Sequence, residues 1–124
     1  MNVSTQRFGD AVVLKVSGRL DQDTCDLFRA DLSKVVETSA GRGGAVVLDL
    51  SQLEYVSSAG LRCLMMGARQ ASAHKSRIMV CAPQPIVAEI LQISRFNLVL
   101  QVFGTTREAL ASVSPEAAQA FDRG

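Results

Sequence analysis

The segment from Asp49 to Arg62 holds two adjacent serines followed by small residues, a pattern that could accept a phosphoryl group. It reads Asp-Leu-Ser-Gln-Leu-Glu-Tyr-Val-Ser-Ser-Ala-Gly-Leu-Arg. An apolar run that predicts a buried strand ends at Leu50, and a mixed polar and apolar loop is expected after it. A helix is expected to begin near Ser58. Ser58 is then the helix N-cap, accepting a hydrogen bond from an early backbone N–H.

A serine at a helix N-terminus is compatible with two roles. The helix dipole and the free N–H groups of the first turn favour a phosphate, so the serine could accept a phosphoryl group. Ala59 and Gly60 are small, so another chain could approach the first turn closely. The other interpretation is a capped helix with no further role, and the residues alone favour it.

Catalytic templates do not fit the sequence. A nucleophile elbow needs Gly-x-Ser-x-Gly, but Val56 stands in place of the first glycine before Ser58. The single histidine, His74, lies at the polar end of a helical pattern, so no base is evident for a serine or cysteine nucleophile. Metal-ligating residues do not cluster. We therefore expect no enzyme activity, no metal and no cofactor.

The cysteines and the short apolar runs indicate an intracellular protein. Cys25, Cys63 and Cys81 lie in apolar stretches without a Cys-x-x-Cys spacing, which predicts buried, unreactive thiols. Residues 1–10 lack a signal-peptide pattern, and no apolar run approaches the ~20 residues of a membrane span. The sequence predicts a cytoplasmic protein without membrane insertion.

Five segments predict strands and four predict helices, and these elements must position the serines. The strand segments, rich in β-branched and aliphatic residues, are Asn2–Phe8, Ala11–Val16, Ala45–Leu50, Arg77–Ala82 and Leu98–Phe103. The helical segments are Thr24–Thr38, Ser58–Ser72, Pro85–Arg95 and a helix that starts at Thr105 with Glu108 in a capping box. The order β-β-α-β-α-β-α-β-α predicts an α/β fold with a five-stranded mixed, mostly parallel sheet.

Two turns are expected within this order. Gly9 and Asp10 suggest a tight hairpin that makes the first strand antiparallel to the second. The glycines at 41, 43 and 44 predict a flexible loop before the third strand.

Apolar spacing predicts which face of each helix is buried. These positions are Cys25, Phe28, Leu32, Val35 and Val36; Leu61, Leu64, Met65 and Ala68; Ile86, Ile90 and Ile93; and Ala109, Leu110 and Val113. On the helix after Ser58, the opposite side carries Arg62, Met66 and Arg69. An exposed methionine between two arginines is a candidate partner-binding surface, although an ordinary solvated face is an equal alternative.

Length and composition bound the remaining possibilities. The chain has 124 residues, which predicts one domain at 1–114, and the Pro/Ala/Gln-rich stretch at 115–124 predicts a flexible tail. A hydrophobic content of 48% excludes intrinsic disorder. A net charge of +1 argues against nucleic acid as a partner, because binding phosphates needs a basic excess.

The serine segment resembles the signature of the STAS domain family, whose small stand-alone members are anti-sigma factor antagonists. Asp49-Leu50-Ser51, a hydrophobic spacer and Ser58-Ala59-Gly60-Leu61 carry the resemblance. Gly18-Arg19-Leu20-Asp21 resembles the family's Gly-x-Leu-Asp. The order of strands and helices fits from residue 2 to about 113, so the resemblance covers nearly the whole chain and implies a STAS-type fold.

The resemblance implies that Ser58, two residues before Gly60, is the phosphoacceptor of an anti-sigma factor that is also a serine kinase. Ser57 stands where the family usually has Asp and offers a second, less favoured hydroxyl. Asp21 aligns with the family's other acid near this site, although an N-cap or turn role is as well supported. Asp49 and Ser51 are expected to organise the loop.

The implied function is partner switching. The protein would bind the anti-sigma factor/serine kinase while Ser58 is free and leave it once Ser58 is phosphorylated, and a serine phosphatase would be a further partner. Two alternatives stay open: a partner switch with another output such as secretion, and a STAS binding module of a transporter or lipid-trafficking complex. A hydrolase that uses Ser58 would lack a base.

Overall fold

The computed structural model describes residues 1–40 and 44–124, so most of the glycine-rich loop predicted before the third strand lies outside the described residues. The strands in this part of the chain are β1 Asn2–Phe8, β2 Ala11–Leu20, β3 Ala45–Val56, β4 Arg77–Cys81 and β5 Val102–Phe103. The helices are α1 Cys25–Ala40, α2 Ser58–Ala73, α3 Pro85–Ile93, α4 Thr106–Val113 and α5 Pro115–Arg123, with a 3-10 helix at Phe96–Leu98. None of these helices is both long and apolar enough to cross a bilayer.

The strands form one sheet in the order β1-β2-β3-β4-β5. β1 runs antiparallel to β2 through the turn at Gly9, whose φ of +60° glycine adopts without strain, and the other pairs are parallel. This confirms the predicted mixed, mostly parallel sheet. The described chain has five α-helices where four were predicted.

Both faces of the sheet are covered. Alternate strand residues such as Leu14 and Leu48 pack with α1, α2 and α3, while Val13 and Val47 pack with α4 and α5 on the other side. Side chains that alternate between faces explain why the central strands are continuous apolar runs. The predicted faces of α1 and α4 are confirmed, with Cys25 and Val113 partly buried.

β3 is longer than predicted and replaces the expected loop. Between Lys15 and Ser17, β2 advances two residues while β3 advances three, from Asp49 to Gln52, and a second irregularity lies between Gly18 and Arg19. Each irregularity is a bulge with one extra residue on β3. The bulges leave Leu50, Leu53 and Val56 buried at a spacing of three. That spacing breaks the alternation typical of a strand, so the sequence pattern resembled a loop.

The predicted face of α2 packs against the core but is not the most deeply buried side of the helix, and the buried face of α3 differs from the predicted one. In α2 the buried residues are Gly60, Cys63, Leu64, Gly67 and Ala71, while Leu61, Met65 and Ala68 are only partly buried. In α3 the buried residues are Val87 and Leu91, and Ile86 and Ile93 are 53% and 74% exposed. In α2 the buried residues include Gly60 and Gly67, and glycines were not counted as apolar when the face was predicted. In α3 Val87 and Leu91 also have helical spacing, so periodicity alone could not distinguish their face from the predicted one.

The C-terminal segment forms α5, and this corrects the predicted flexible tail at 115–124. Ser114 caps the helix by accepting a hydrogen bond from the Ala117 N–H at 3.1 Å. The Phe121 ring meets Phe8 edge to face, with 5.5 Å between the ring centroids. Arg107 donates two hydrogen bonds to Asp122. Burial of Ala117 and Ala118 against the β1–β2 hairpin and α4 orders a segment whose composition alone resembled a tail.

We predict that Phe121→Ala lowers the free energy of unfolding by about 1–3 kcal/mol, because it removes a partly buried ring and its contact with Phe8. The matched control is Gln119→Ala on the exposed side of α5, which should change stability by less than about 0.5 kcal/mol. Urea denaturation followed by circular dichroism measures both. Equal stability of the two variants would contradict the packing of α5.

Candidate functional site

The candidate site lies where α2 begins, at the ends of β2 and β3. Ser57 alone separates β3 from α2, and its N–H donates a hydrogen bond to the Leu20 carbonyl at 3.0 Å. Ser57 has extended backbone angles, φ −85° and ψ 175°, and its Oγ accepts a hydrogen bond from the Gly60 N–H at 3.1 Å. The Leu61 N–H donates to the Ser57 carbonyl at 2.9 Å. Ser57 is therefore the N-cap of α2.

This geometry corrects the sequence prediction that Ser58 is the N-cap. Because the bulged β3 continues to Val56, the chain turns into the helix one residue earlier than expected at Ser57. Ser58 is the first residue of α2 and is exposed to solvent. The cap bond to Gly60 occupies the Ser57 oxygen, so the two adjacent hydroxyl groups differ in exposure and in hydrogen bonding.

Gly60 packs inside the domain and does not make room for another chain as the sequence suggested. It is buried, and a Cβ at this position would overlap the Leu20 carbonyl oxygen and lie 3.0 Å from Val56 Cγ1. The absence of a side chain therefore allows α2 to approach the end of β2. Ala59 is half-buried beside it.

Asp21 organises the turn that follows β2. Its Oδ1 accepts hydrogen bonds from the N–H groups of Asp23 and Thr24 at 3.0 and 3.2 Å. The Asp21 N–H donates to Thr24 Oγ1, and this hydroxyl group donates to the Arg19 carbonyl. These bonds match the turn role that the sequence left open. Because Leu20 is bonded to Ser57, the Asp21 turn also lies next to the start of α2.

A cation–π pair beside these residues was not predicted. The Arg19 guanidinium carbon lies 4.8 Å from the centroid of the Tyr55 ring. The two residues are register partners on β2 and β3. The sequence gives no signal for this pair, since the pairing depends on the two bulges in β3. The pair holds a positive charge near the ends of β2 and β3, the strands that are followed by Asp21 and Ser57.

Asp49 and Ser51 stabilise the first bulge, in agreement with their predicted organising role. Asp49 is 8% exposed, and its Oδ1 accepts a hydrogen bond from the Ser51 N–H at 2.9 Å. The Ser51 carbonyl accepts from Gln84 Nε2 at 2.8 Å. Backbone groups that the bulge removes from the ladder thus find partners in side chains.

The solvent face of α2 carries the residues that the sequence grouped together. Arg62 and Arg69 are exposed, and Met66 is 37% exposed. Arg69 Nη2 lies 3.9 Å from Met65 Sδ, one helical turn away. Ser58, Arg62, Met66 and Arg69 are separated by four, four and three residues, so they form one stripe along the helix. We call these four residues the α2 stripe.

The three cysteines do not behave alike. Cys25 and Cys63 are joined by a disulfide bond, which corrects the prediction of three unreactive thiols. Their positions are 38 residues apart and meet only because α1 packs on α2, so spacing gave no signal. Cys81 is a buried free thiol, as predicted, and burial raises its pKa to about 11.

The candidate site lies on the open surface of the domain, and His74 is too far from Ser58 to act as its general base. His74 is exposed and follows the C-terminal end of α2, whereas Ser58 opens the helix, and sixteen residues of helix span roughly 24 Å. Two open clefts of about 450 and 540 Å³ flank β1, and neither is lined by Ser58. The geometry presents an exposed hydroxyl group on a helical face that another protein can reach.

Comparisons with known proteins agree with this fold. The family model described as "Mlab, STAS domain" matches residues 3–101. BtrV of Bordetella bronchiseptica, which is named as an anti-sigma factor antagonist, is 30% identical over 112 residues, which are 90% of this chain and 93% of BtrV.

Two solved proteins share the fold. An anti-sigma factor antagonist from Mycobacterium paratuberculosis superposes with a TM-score of 0.79 at 22% identity, over 90% of this chain and 92% of that one. The antagonist SpoIIAA in its unphosphorylated form has a TM-score of 0.70 at 20% identity, over 90% and 95%. The phosphorylated form of SpoIIAA, from Bacillus, has a TM-score of 0.64 at 19% identity, over 90% and 98%.

We predict that Ser57→Ala costs about 1 kcal/mol of stability, because the Gly60 N–H loses its cap. The neighbouring exposed change Ser58→Ala should cost less than about 0.5 kcal/mol. Thermal and urea denaturation of the two variants measure the difference. A larger loss in Ser58→Ala than in Ser57→Ala would place the cap at Ser58 instead.

Proposed function

Because this chain belongs to the STAS domain family, we propose that it is an anti-sigma factor antagonist that acts by partner switching. In this function it binds an anti-sigma factor that is also a serine kinase, and phosphorylation of Ser58 releases it. The observation that carries the proposal is that Ser58 is exposed in the first turn of α2, within a segment that resembles the family's phosphoacceptor motif except that Ser57 replaces the usual Asp.

Ser58 is better suited than Ser57 to accept the phosphoryl group. Ser58 is exposed, whereas Ser57 is half-buried and its oxygen accepts the Gly60 N–H. In the transfer, Ser58 Oγ forms a bond to the γ-phosphorus of ATP, ADP leaves, and the hydroxyl proton passes to a base of the kinase. In this step the chain supplies only the acceptor hydroxyl group, in keeping with the regulatory role that we propose.

The surroundings of Ser58 are compatible with a phosphate inside the folded domain. The N-terminus of α2 favours negative charge through its dipole and backbone N–H groups. Arg62 lies four residues further along the α2 stripe, at the spacing where side chains of opposite charge can pair. Phosphorylation therefore need not unfold the protein in order to change its surface.

The same charge would disfavour a bound partner. A phosphate adds about −1.5 to −2 charges and three acceptor oxygens. At an interface packed around the α2 stripe, this charge must be desolvated, and it competes with the partner's acidic groups for Arg62. We therefore place the kinase contact on Ser58, Arg62, Met66 and Arg69, next to Asp21, Ser57, Ala59 and Gly60.

The partners are the anti-sigma factor/serine kinase and a serine phosphatase, and the protein works in the cytoplasm where sigma factors act. A domain that switches partners in this way requires no cofactor. A pull-down from the source cells tests the assignment: capture of a kinase supports it, whereas capture of a transporter or lipid-trafficking complex without a kinase supports a STAS binding module.

We predict that the captured kinase and ATP add one phosphate to the protein and that the label maps to Ser58 by mass spectrometry. Ser58→Ala should fold, resist phosphorylation and stay bound to the kinase in the presence of ATP. Ser57→Ala is the matched control and should remain a substrate. Ser58→Asp should bind more weakly than the wild type, although a carboxylate carries less charge than a phosphate.

The opposite pattern among the serine variants would contradict this assignment. Phosphorylation of Ser58→Ala but not of Ser57→Ala would identify Ser57 as the acceptor. If a bound kinase modified neither serine, the switch would not operate through this site.

We also predict that Met66→Asp weakens kinase binding at least about tenfold, because it places a desolvated carboxylate at the centre of the α2 stripe. Met66 is 37% exposed, so the melting temperature should change little. The control is Gln119→Asp, an exposed change of the same charge on α5 at the opposite face of the sheet. Titration calorimetry measures both affinities. Unchanged binding by an Arg62→Ala, Met66→Ala double variant would move the contact off this stripe.

A further inference from the structure

The disulfide between Cys25 and Cys63 has no part in the proposed partner switch, yet it lies beside the residues of that switch. We propose that this pair is a redox-modification site: a hydroperoxide-class oxidant forms the disulfide, and a dithiol-class reductant opens it. Oxidation would then tie α1 to α2 next to Ser58. The proposal does not depend on which partner the α2 stripe binds.

The backbone already holds the two residues at bonding geometry. Their Cα atoms are 6.1 Å apart, within the range of about 4.4–6.8 Å that disulfides require. Cys25 is the first residue of α1, and Cys63 lies on the buried face of α2. Closing or opening the bond therefore does not need a rearrangement of the helices.

Contacts other than the disulfide also hold α1 on α2, so we expect the reduced state to be accessible. Further along the same helix pair, Gly67 of α2 is so close to Leu32 of α1 that an added Cβ would overlap the Leu32 side chain. Ser33 and Gln70 exchange hydrogen bonds at 2.9 and 3.1 Å. These contacts hold α1 on α2 without the sulfur atoms, and reduced cysteines pack as small apolar side chains.

The two cysteine residues differ in solvent exposure, and this difference suggests the order of the reaction. Cys25 is partly exposed, whereas Cys63 is 1% exposed. Hydrogen peroxide, the simplest oxidant of this class, first oxidises the Cys25 thiol to a sulfenic acid and releases water. Cys63 sulfur then attacks Cys25 sulfur and a second water leaves, so two thiols and one hydrogen peroxide give one disulfide and two waters.

Reduction runs through thiol–disulfide exchange. A dithiol attacks the sulfur of Cys25, the more exposed residue, releases Cys63 as a thiol, and closes its own disulfide to release Cys25. Cys81 cannot replace either cysteine, because it is buried in the cluster between the sheet and α4–α5, where it contacts Thr106. The chemistry is therefore confined to one pair.

The bond connects the two segments that frame the candidate site. Cys25 directly follows the Asp21–Thr24 turn, and Cys63 lies five residues after Ser58 on α2. A cross-link that closes a 38-residue separation restricts local opening of both segments. Oxidation should therefore reduce the fluctuations of the first turns of α2 without altering their structure.

The test compares the wild-type protein after hydrogen peroxide and after dithiothreitol, with maleimide labelling in denaturant to count thiols. The reduced protein should label three thiols and the oxidised monomer one, because two of its three cysteines are bonded. Cys81→Ser should still lose two thiols on oxidation, and Cys25→Ser should lose none. The oxidised wild type should melt at least about 5 °C higher than the reduced one.

Amide hydrogen exchange of the wild type supplies a readout that needs no variant. The Gly60 and Leu61 N–H groups, both bonded to Ser57, should exchange at least about tenfold more slowly after oxidation, while amides of α4 should be nearly unchanged. Three reactive thiols after peroxide, an intermolecular dimer, or equal exchange at Gly60 in both states would each overturn the proposal. Since no kinase is present in these measurements, their outcome is independent of the proposed partner switch.

Discussion

The close approach of α2 to the end of β2 is the constraint on which the rest of the site depends. The Ser57 N–H is bonded to the Leu20 carbonyl, and Gly60 is buried against the same carbonyl because it has no side chain. This contact fixes where the helix begins. It leaves Ser57 as the cap and Ser58 on the surface, so one packing contact separates a structural serine from a candidate signalling serine.

The bulges in β3 make this approach possible. Two extra residues lengthen β3 relative to β2, so that β3 ends beside Leu20 with Val56 buried. Asp49 and Gln84 supply hydrogen bonds to the backbone of Ser51 at the first bulge. A strand irregularity next to a functional segment is a common way to aim side chains. Here it brings β3 directly into α2 without an intervening loop.

The two helical layers have different relations to the site. α1 and α2 share one face, and their interface carries Cys25 and Cys63 at the end nearest Ser58. α4 and α5 cover the other face, where Phe121 packs on Phe8. A change in the first layer can therefore reach the α2 stripe directly. The sheet separates the second layer from the α2 stripe.

The sequence by itself determined the mixed sheet and the order of elements as far as α4, because apolar runs and helical spacing are local properties of the chain. It also placed Arg62, Met66 and Arg69 on the solvent face of α2. Tertiary structure decided which serine caps α2, since that choice depends on the pairing register of β2 and β3. Tertiary structure also decided that Cys25 bonds to Cys63 and that the C-terminal residues fold into α5. Both features arise from contacts between segments far apart in the chain, which no local pattern encodes.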